Sequence, residues 1–245
     1  MTHPPFPIPH HPKGFFVTGT DTGVGKTLFA SALLHALAGL GVRAAAMKPV
    51  AAGAESRDGD WVNEDVELLT RAAPVRAPAE LVTPYLFREP IAPHLAADHK
   101  GVTIEIPRIA AALDELAGLS DFVVVEGVGG FRVPLGPERD TADLAVRLGL
   151  PLILVVGMRL GCLNHALLTA EAVAARGLRL AAWVANPIDP AMAAYDENLA
   201  ALRARLPAPL LAELPRQTVP DPLQAARLIP PRALAALLRG EGLPA

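Results

Sequence analysis

Two rhythms of apolar residues alternate between positions 14 and 214. Strands are predicted at 14–18, 42–50, 121–126, 150–157 and 178–186. Runs such as Phe122-Val-Val-Val125 and Leu152-Ile-Leu-Val-Val156 show no polar alternation, which suits strands covered on both faces. Between them the period lengthens. Residues 26–40 place Leu28, Ala32, Leu33, Ala36 and Leu37 on one helical face, and Gly41 stops the pattern. Further helices are predicted over 63–73, 109–119, 141–148, 163–176 and 191–206, with a short apolar run at 210–214. Pro74 ends the second helix, and the proline-rich stretch 74–93 reads as irregular surface loops. Strands alternating with helices predict an α/β fold: a doubly wound, mainly parallel sheet with helices on both faces. No repeat of 20–50 residues is visible.

Composition narrows the picture. The chain has 245 residues, 51% hydrophobic and 19% charged, which is ample for a core and too apolar for disorder. A net charge of -3 argues against a broad electrostatic grip on nucleic acid. Cys162 is the sole cysteine, so no internal disulfide is possible, which fits a reducing cytoplasm. The longest apolar run, 148–158, falls well short of the ~20 residues a membrane-spanning helix needs. Residues 1–12 hold five prolines and three histidines, lack the apolar stretch of a signal peptide, and read as a mobile tail. Residues 13–245 read as a single domain.

Only four of the 22 Lys plus Arg residues are lysines: Lys13, Lys26, Lys48 and Lys100. Where arginine is the habitual cation, a lysine hints at a need for a compact ammonium. Two of the four fall in motifs. Gly19-Thr-Asp-Thr-Gly-Val-Gly25-Lys26-Thr27 follows a strand and opens a helix. Glycines there let backbone N–H groups close around phosphate, and the helix start adds partial positive charge. Lys26 would reach the outer phosphates and Thr27 would ligate Mg²⁺. Five residues separate Gly19 from Gly25, one more than the usual pattern.

Lys48 ends the second predicted strand, followed by Pro49 and, four residues on, Gly53. Strand C-termini of a parallel sheet face the ligand crevice, so Lys48 points toward the P-loop. Glu126 closes another buried strand and precedes Gly127-Val128-Gly129-Gly130; its position suits a metal ligand or a partnered core carboxylate. Asp65 lies in the first turn of a helix, where the helix dipole alone would favour it. Cys162 fits a tight Gly-Cys-Leu-Asn loop, and His94 and His165 have no metal-ligand spacing.

Together the motifs resemble the dethiobiotin synthetase family. The resemblance spans about residues 14–215. It covers the P-loop with its extra residue, Met47-Lys-Pro-Val50, Glu89-Pro-Ile-Ala-Pro-His94, Val125-Glu-Gly-Val-Gly-Gly130, Leu160-Gly-Cys-Leu-Asn-His165, Trp183-Val-Ala-Asn186 and the run from Pro207 to Pro215. It implies an ATP- and Mg²⁺-dependent cyclo-ligase that joins CO2 to 7,8-diaminononanoate through a carbamate and a carbamic–phosphoric anhydride. Lys26 and Lys48 would be catalytic, and Thr27, Asp65 and Glu126 would hold Mg²⁺. ATP would contact Gly23, Val24, Gly25, Lys26, Thr27 and Leu28, then Asp65 and Glu126 to Gly129 (with Gly127 and Val128), and Asn186, Pro187 and Pro215. The substrate would meet Thr22 and Lys48, and its acid tail Gly161, Cys162, Leu163 and Asn164 across a homodimer interface. One departure is evident: the family commonly carries a hydroxyl residue at the position of Ala52.

Competing readings lose features. A deviant P-loop ATPase that switches protein partners carries a signature lysine early in the loop, where this chain has Asp21. A GTPase would need an Asn-Lys-x-Asp motif, and no asparagine here precedes a lysine.

Overall fold

The computed structural model describes residues 13–215 and 219–241; the tail predicted at 1–12 lies outside them. Six strands make the central sheet: β1 (Gly14–Gly19), β2 (Ala44–Met47), β3 (Phe122–Glu126), β4 (Leu152–Gly157), β5 (Leu180–Asn186) and β6 (Leu210–Glu213). They lie in the order β6-β5-β4-β1-β3-β2, every neighbouring pair parallel. The chain first builds outward from β1 to β2, fills β3 between them, then crosses to β4 on the other side. The reversal opens a crevice at the C-terminal ends of β1 and β3, where open parallel sheets bind ligands.

Alternation along each strand feeds two cores. Phe15, Val17, Ala44, Ala46, Phe122 and Val124 pack on one face with Phe29, Leu33 and Leu37 of the helix Lys26–Gly39. Phe16, Ala45, Met47, Val123 and Val125 pack on the other with Ile109 and Leu113 of Ile106–Leu119 and Leu144 of Thr141–Leu148. Side chains at i and i+2 share a face, so consecutive apolar residues cover both. A third cluster lies between Trp183 and the helices Cys162–Ala175 and Tyr195–Arg205. The doubly wound α/β architecture is as the sequence predicts.

Two expectations are corrected and one element is added. The strand read at 42–50 breaks after Met47: Pro49 has no N–H to give a ladder, and the Lys48 N–H donates to the Val82 carbonyl at 2.8 Å. Val50–Ala51 then pairs with Tyr85–Leu86 in a small separate sheet. The stretch 74–93 is therefore no surface loop. It holds the helix Ala79–Val82 and that strand, with Val82, Tyr85 and Phe87 buried, and Pro93 opens the helix Pro93–Lys100. Pro78, Pro84 and Pro93 stand at element starts, where a missing N–H costs little. The added element, a hairpin of Glu55–Arg57 with Asp60–Val62, was not foreseen. Its turn, Asp58 (φ 53) and Gly59 (φ 92), is the two-residue type that Asp-Gly favours. Past residue 215, the helices Pro222–Ala226 and Pro231–Leu238 bury Ala225, Leu234 and Leu237 in the core beside Lys26–Gly39.

Candidate active site

The loop after β1 is shaped by close approach. Gly25 caps Lys26–Gly39 with φ 91, and no side chain caps that helix start, leaving its N–H groups for an anion. A Cβ on Gly25 would fall 2.1 Å from the Asn186 amide nitrogen. That amide donates to the Val24 carbonyl at 2.8 Å, so the loop is seated on the end of β5. Gly25→Ala therefore meets both a left-handed backbone and a clash. The left-handed conformation alone costs roughly 1–2 kcal/mol, and we expect a lower Tm together with lost nucleotide binding. Calorimetry with Mg-ATP checks this, and wild-type affinity in the variant would contradict the seating described.

The charged groups converge on Thr27 and Lys48. The Thr27 hydroxyl lies 2.7 Å from Asp65 Oδ1 and 2.9 Å from Glu126 Oε1, and its one proton serves one carboxylate at a time. Lys48 Nζ donates to Asp65 Oδ2 at 2.8 Å and to Glu126 Oε1, with the Gly127 carbonyl at 3.5 Å. Lys48 and Glu126 are buried, whereas the Asp65 side chain is 42% exposed. Burial works against the Lys48 ammonium, but Glu126 and Asp65 beside it hold its pKa above the ordinary value. Burial pushes Glu126 up against the pull of Lys48. Burial would raise Asp65 too, yet Lys48 and the Thr27 hydroxyl hold it below its usual range. Lys26 Nζ folds back to the Asp21 carbonyl at 2.9 Å, and burial, then the Lys48 charge, lower its pKa to about 8.

These donors fit a small divalent cation. Two carboxylates and a hydroxyl are hard oxygen ligands gathered within hydrogen-bond distance, and Glu126 Oε2 is buried without a hydrogen-bond partner. Mg²⁺ is typically held by one or two carboxylates, phosphate oxygens and water rather than by a full protein cage.

A cleft of about 770 Å³ opens over this cluster. It brings together Thr22, Gly23, Gly25, Lys26, Thr27, Leu28, Lys48, Asp65, Glu126, Val128 and Gly129 from the predicted set, with Ala52 in its wall. Val24 and Gly127 lie buried behind it. Asn186, Pro187 and Pro215 do not line this cleft. Gly161, Cys162, Leu163 and Asn164 also stand apart from it, at the start of the helix Cys162–Ala175, where Gly161 has φ 94 and Cys162 is buried.

Several contributors escaped sequence reasoning. Asn63 accepts from the Val66 N–H at 3.3 Å and donates to the Ala52 carbonyl at 3.1 Å, tying the loop after Lys48 to the helix that carries Asp65. Its place just before Glu64-Asp65 was a readable N-cap signal. Pro220 and Pro222 close one side of the cleft, and the Ile91–Pro93 segment closes another. Pro220 and Pro222 are not distinguishable in sequence from ordinary loop, whereas Ile91–Pro93 lies within the Glu89–His94 run that carries part of the family resemblance.

The AAA domain family model matches residues 13–222. The ATP-dependent dethiobiotin synthetase BioD of Aromatoleum aromaticum is 57% identical over 215 residues, covering 88% of this chain and 96% of that protein. The chain belongs to the dethiobiotin synthetase family. That membership bears out the resemblance and makes the chain an enzyme, a ligase forming carbon–nitrogen bonds. Solved structures extend the likeness in fold only. The MinD cell division protein of Aquifex aeolicus superposes with a TM-score of 0.57 at 18% identity, covering 95% of this chain and 99% of that one. MinD of Pyrococcus horikoshii, solved with Mg-ADP, gives 0.52 at 16% identity over 91% and 88%. Among the described residues of this chain, no helix is long and apolar enough to cross a membrane.

Proposed function

We propose that this chain joins CO2 to 7,8-diaminononanoate and closes the ring to dethiobiotin, using ATP and Mg²⁺ and releasing ADP and phosphate. The observation that carries the reading is the convergence of Lys26, Lys48, Thr27, Asp65 and Glu126 on one cleft at the head of a P-loop. One substrate amine captures CO2 as a carbamate, losing a proton. A carbamate oxygen attacks the γ-phosphorus and ADP leaves. The second amine attacks the carbonyl carbon and gives up a proton, and phosphate leaves with the carbamate oxygen. No protein nucleophile is required; the chemistry needs orientation and stabilised oxyanions.

Lys26 and Lys48 supply two buried cations for those oxyanions. Thr27, Asp65 and Glu126 would hold Mg²⁺, which supplies charge neutralisation at the phosphates. Lys48, held between Asp65 and Glu126, would be available to the carbamate where those carboxylates serve as the Mg²⁺ ligands. Asn186, Pro187 and Pro215 remain our candidates for the adenine. The test is isotopic: with ¹⁸O-labelled CO2 and short reaction times, label should appear in the released phosphate. Dethiobiotin formed with unlabelled phosphate would overturn the anhydride route.

Ala52 lines the cleft together with Lys48, and in this reading it lies beside the reacting groups. A serine there would present a hydroxyl to an oxyanion. We expect Ala52→Ser to keep kcat or raise it by up to about tenfold, if the bond strengthens in the transition state. Steady-state kinetics at saturating ATP decide, and a large loss of kcat in a folded variant would misplace this loop.

The active unit in this reading is a cytoplasmic homodimer. Leu160 and Leu168, on either side of Gly161–Asn164 in the chain, are 92% and 56% exposed, and such exposed apolar side chains suit contact with a second copy. The uncapped helix start there suits the substrate's acid tail. Sedimentation at assay concentrations should show a dimer; full specific activity from a monomer would contradict this.

A further inference from the structure

We propose that Arg159 is a positioning residue for the P-loop: held by the Asp21 carboxylate, its guanidinium fixes the loop apex whose carbonyl receives the Lys26 ammonium. The proposal rests on reading the cleft as an ATP site. Arg159 lies in the short connection between β4 and the helix Cys162–Ala175. Its Nη2 donates to Asp21 Oδ2 at 2.6 Å. The other oxygen of that carboxylate, Oδ1, accepts from the Thr22 N–H at 2.7 Å, and the Asp21 backbone carbonyl accepts from Lys26 Nζ at 2.9 Å. One residue thus joins the incoming guanidinium, the turn of the loop and the ammonium that reaches into the cleft.

The rest of the loop is braced at its flanks. The Gly157 N–H donates to Thr20 Oγ1 at 3.3 Å, and the Asn186 amide donates to the Val24 carbonyl at 2.8 Å. Arg159 reaches the apex between these two braces. It does not line the cleft, so it acts through Asp21 rather than on the nucleotide. The Arg159 and Asp21 side chains are 43% and 48% exposed. A pair so wet adds little to global stability. Its geometry is charge-assisted and directional, which suits holding a loop in one arrangement. Misplacement of a charged group by about 1 Å can cost up to about a hundredfold in a site that works by orientation.

The consequence is selective. Lys26 reaches the outer phosphates, so a loosened apex weakens triphosphate binding more than diphosphate binding. The test compares the affinities of ADP and a slowly hydrolysed ATP analogue, each with Mg²⁺, by calorimetry on the full chain. Relative to wild type, Arg159→Ala should reduce the preference for the triphosphate by about tenfold with Tm unchanged, and Arg159→Lys should restore most of it. In a Lys26→Ala background, Arg159→Ala should leave the preference unmoved, because the two act through one contact. An unchanged preference in Arg159→Ala, or an equal loss for both nucleotides with a lowered Tm, would overturn the proposal while leaving the ATP-site reading intact. Failure of the wild type to bind either nucleotide would overturn that reading, and this proposal with it.

Discussion

Replacing Lys26 with alanine should lower kcat by about 10²–10³-fold or more at saturating ATP, the cost typical of removing one preorganised donor at developing charge. Lys26 opens the P-loop helix and its ammonium is buried in the cleft, 2.9 Å from the Asp21 carbonyl. Its low pKa, about 8, arises because burial and the neighbouring Lys48 both disfavour its charge. Phosphate oxygens would relieve both, so the ammonium is strongest when the nucleotide is in place. Alanine is a good helix former, so the fold should survive. Stopped or steady-state assays of ADP release check this, with circular dichroism to confirm folding. Near-normal turnover would remove Lys26 from the chemistry.

Lys48→Met should abolish turnover and also destabilise the protein. The ammonium sits between Asp65 and Glu126, and Glu126 is wholly buried. Removing one member of a buried ion pair costs about 3–5 kcal/mol, and we expect the lower figure because Asp65 is partly exposed. At about 2–4 °C per kcal/mol, Tm should fall by roughly 6–12 °C. The loss has a pH signature. Burial already pushes the Glu126 pKa up, and without Lys48 only the weaker pull of the Lys26 ammonium opposes that push. A carboxyl with a raised folded pKa takes up a proton on folding as pH falls through that pKa, so the variant should recover stability toward acid and lose it toward neutral pH. Adding Mg-ATP should raise the variant's Tm by binding the folded form. A variant with wild-type Tm and near-normal kcat would contradict the ion cluster described above.

The residues most legible in sequence were those whose chemistry is local. Gly19 to Thr27 declares itself because a strand, a glycine-rich turn and a helix start are contiguous. Uninterrupted apolar strands and helical stripes gave the parallel sheet for the same reason. Asp65 was ambiguous: at a helix start a carboxylate is favoured whether or not it binds anything, and its contacts with Thr27 at 2.7 Å and Lys48 at 2.8 Å distinguish the two. The break at Lys48-Pro49 was hidden because Met47 and Val50 are both apolar and buried, so the pattern continues across a change of sheet. The stretch 74–93 misled because prolines at element starts look like prolines in loops. Arg159 was invisible: it lies 138 positions from Asp21, and nothing local marks it as a tether.

Solved structures as different in role as MinD cell division proteins share this sheet, so the fold alone does not establish a ligase over a P-loop switch. Asp21, where such switches carry a lysine, and the 57% identity to a dethiobiotin synthetase favour the ligase. The direct measurement is ADP release by the full chain with ATP and Mg²⁺, with 7,8-diaminononanoate and bicarbonate each present or omitted, alongside quantification of dethiobiotin. We expect one ADP per dethiobiotin when all components are present, and both products to vanish when the diamine is left out. ADP release at the same rate without the diamine, with no dethiobiotin in the complete mixture, would contradict the account.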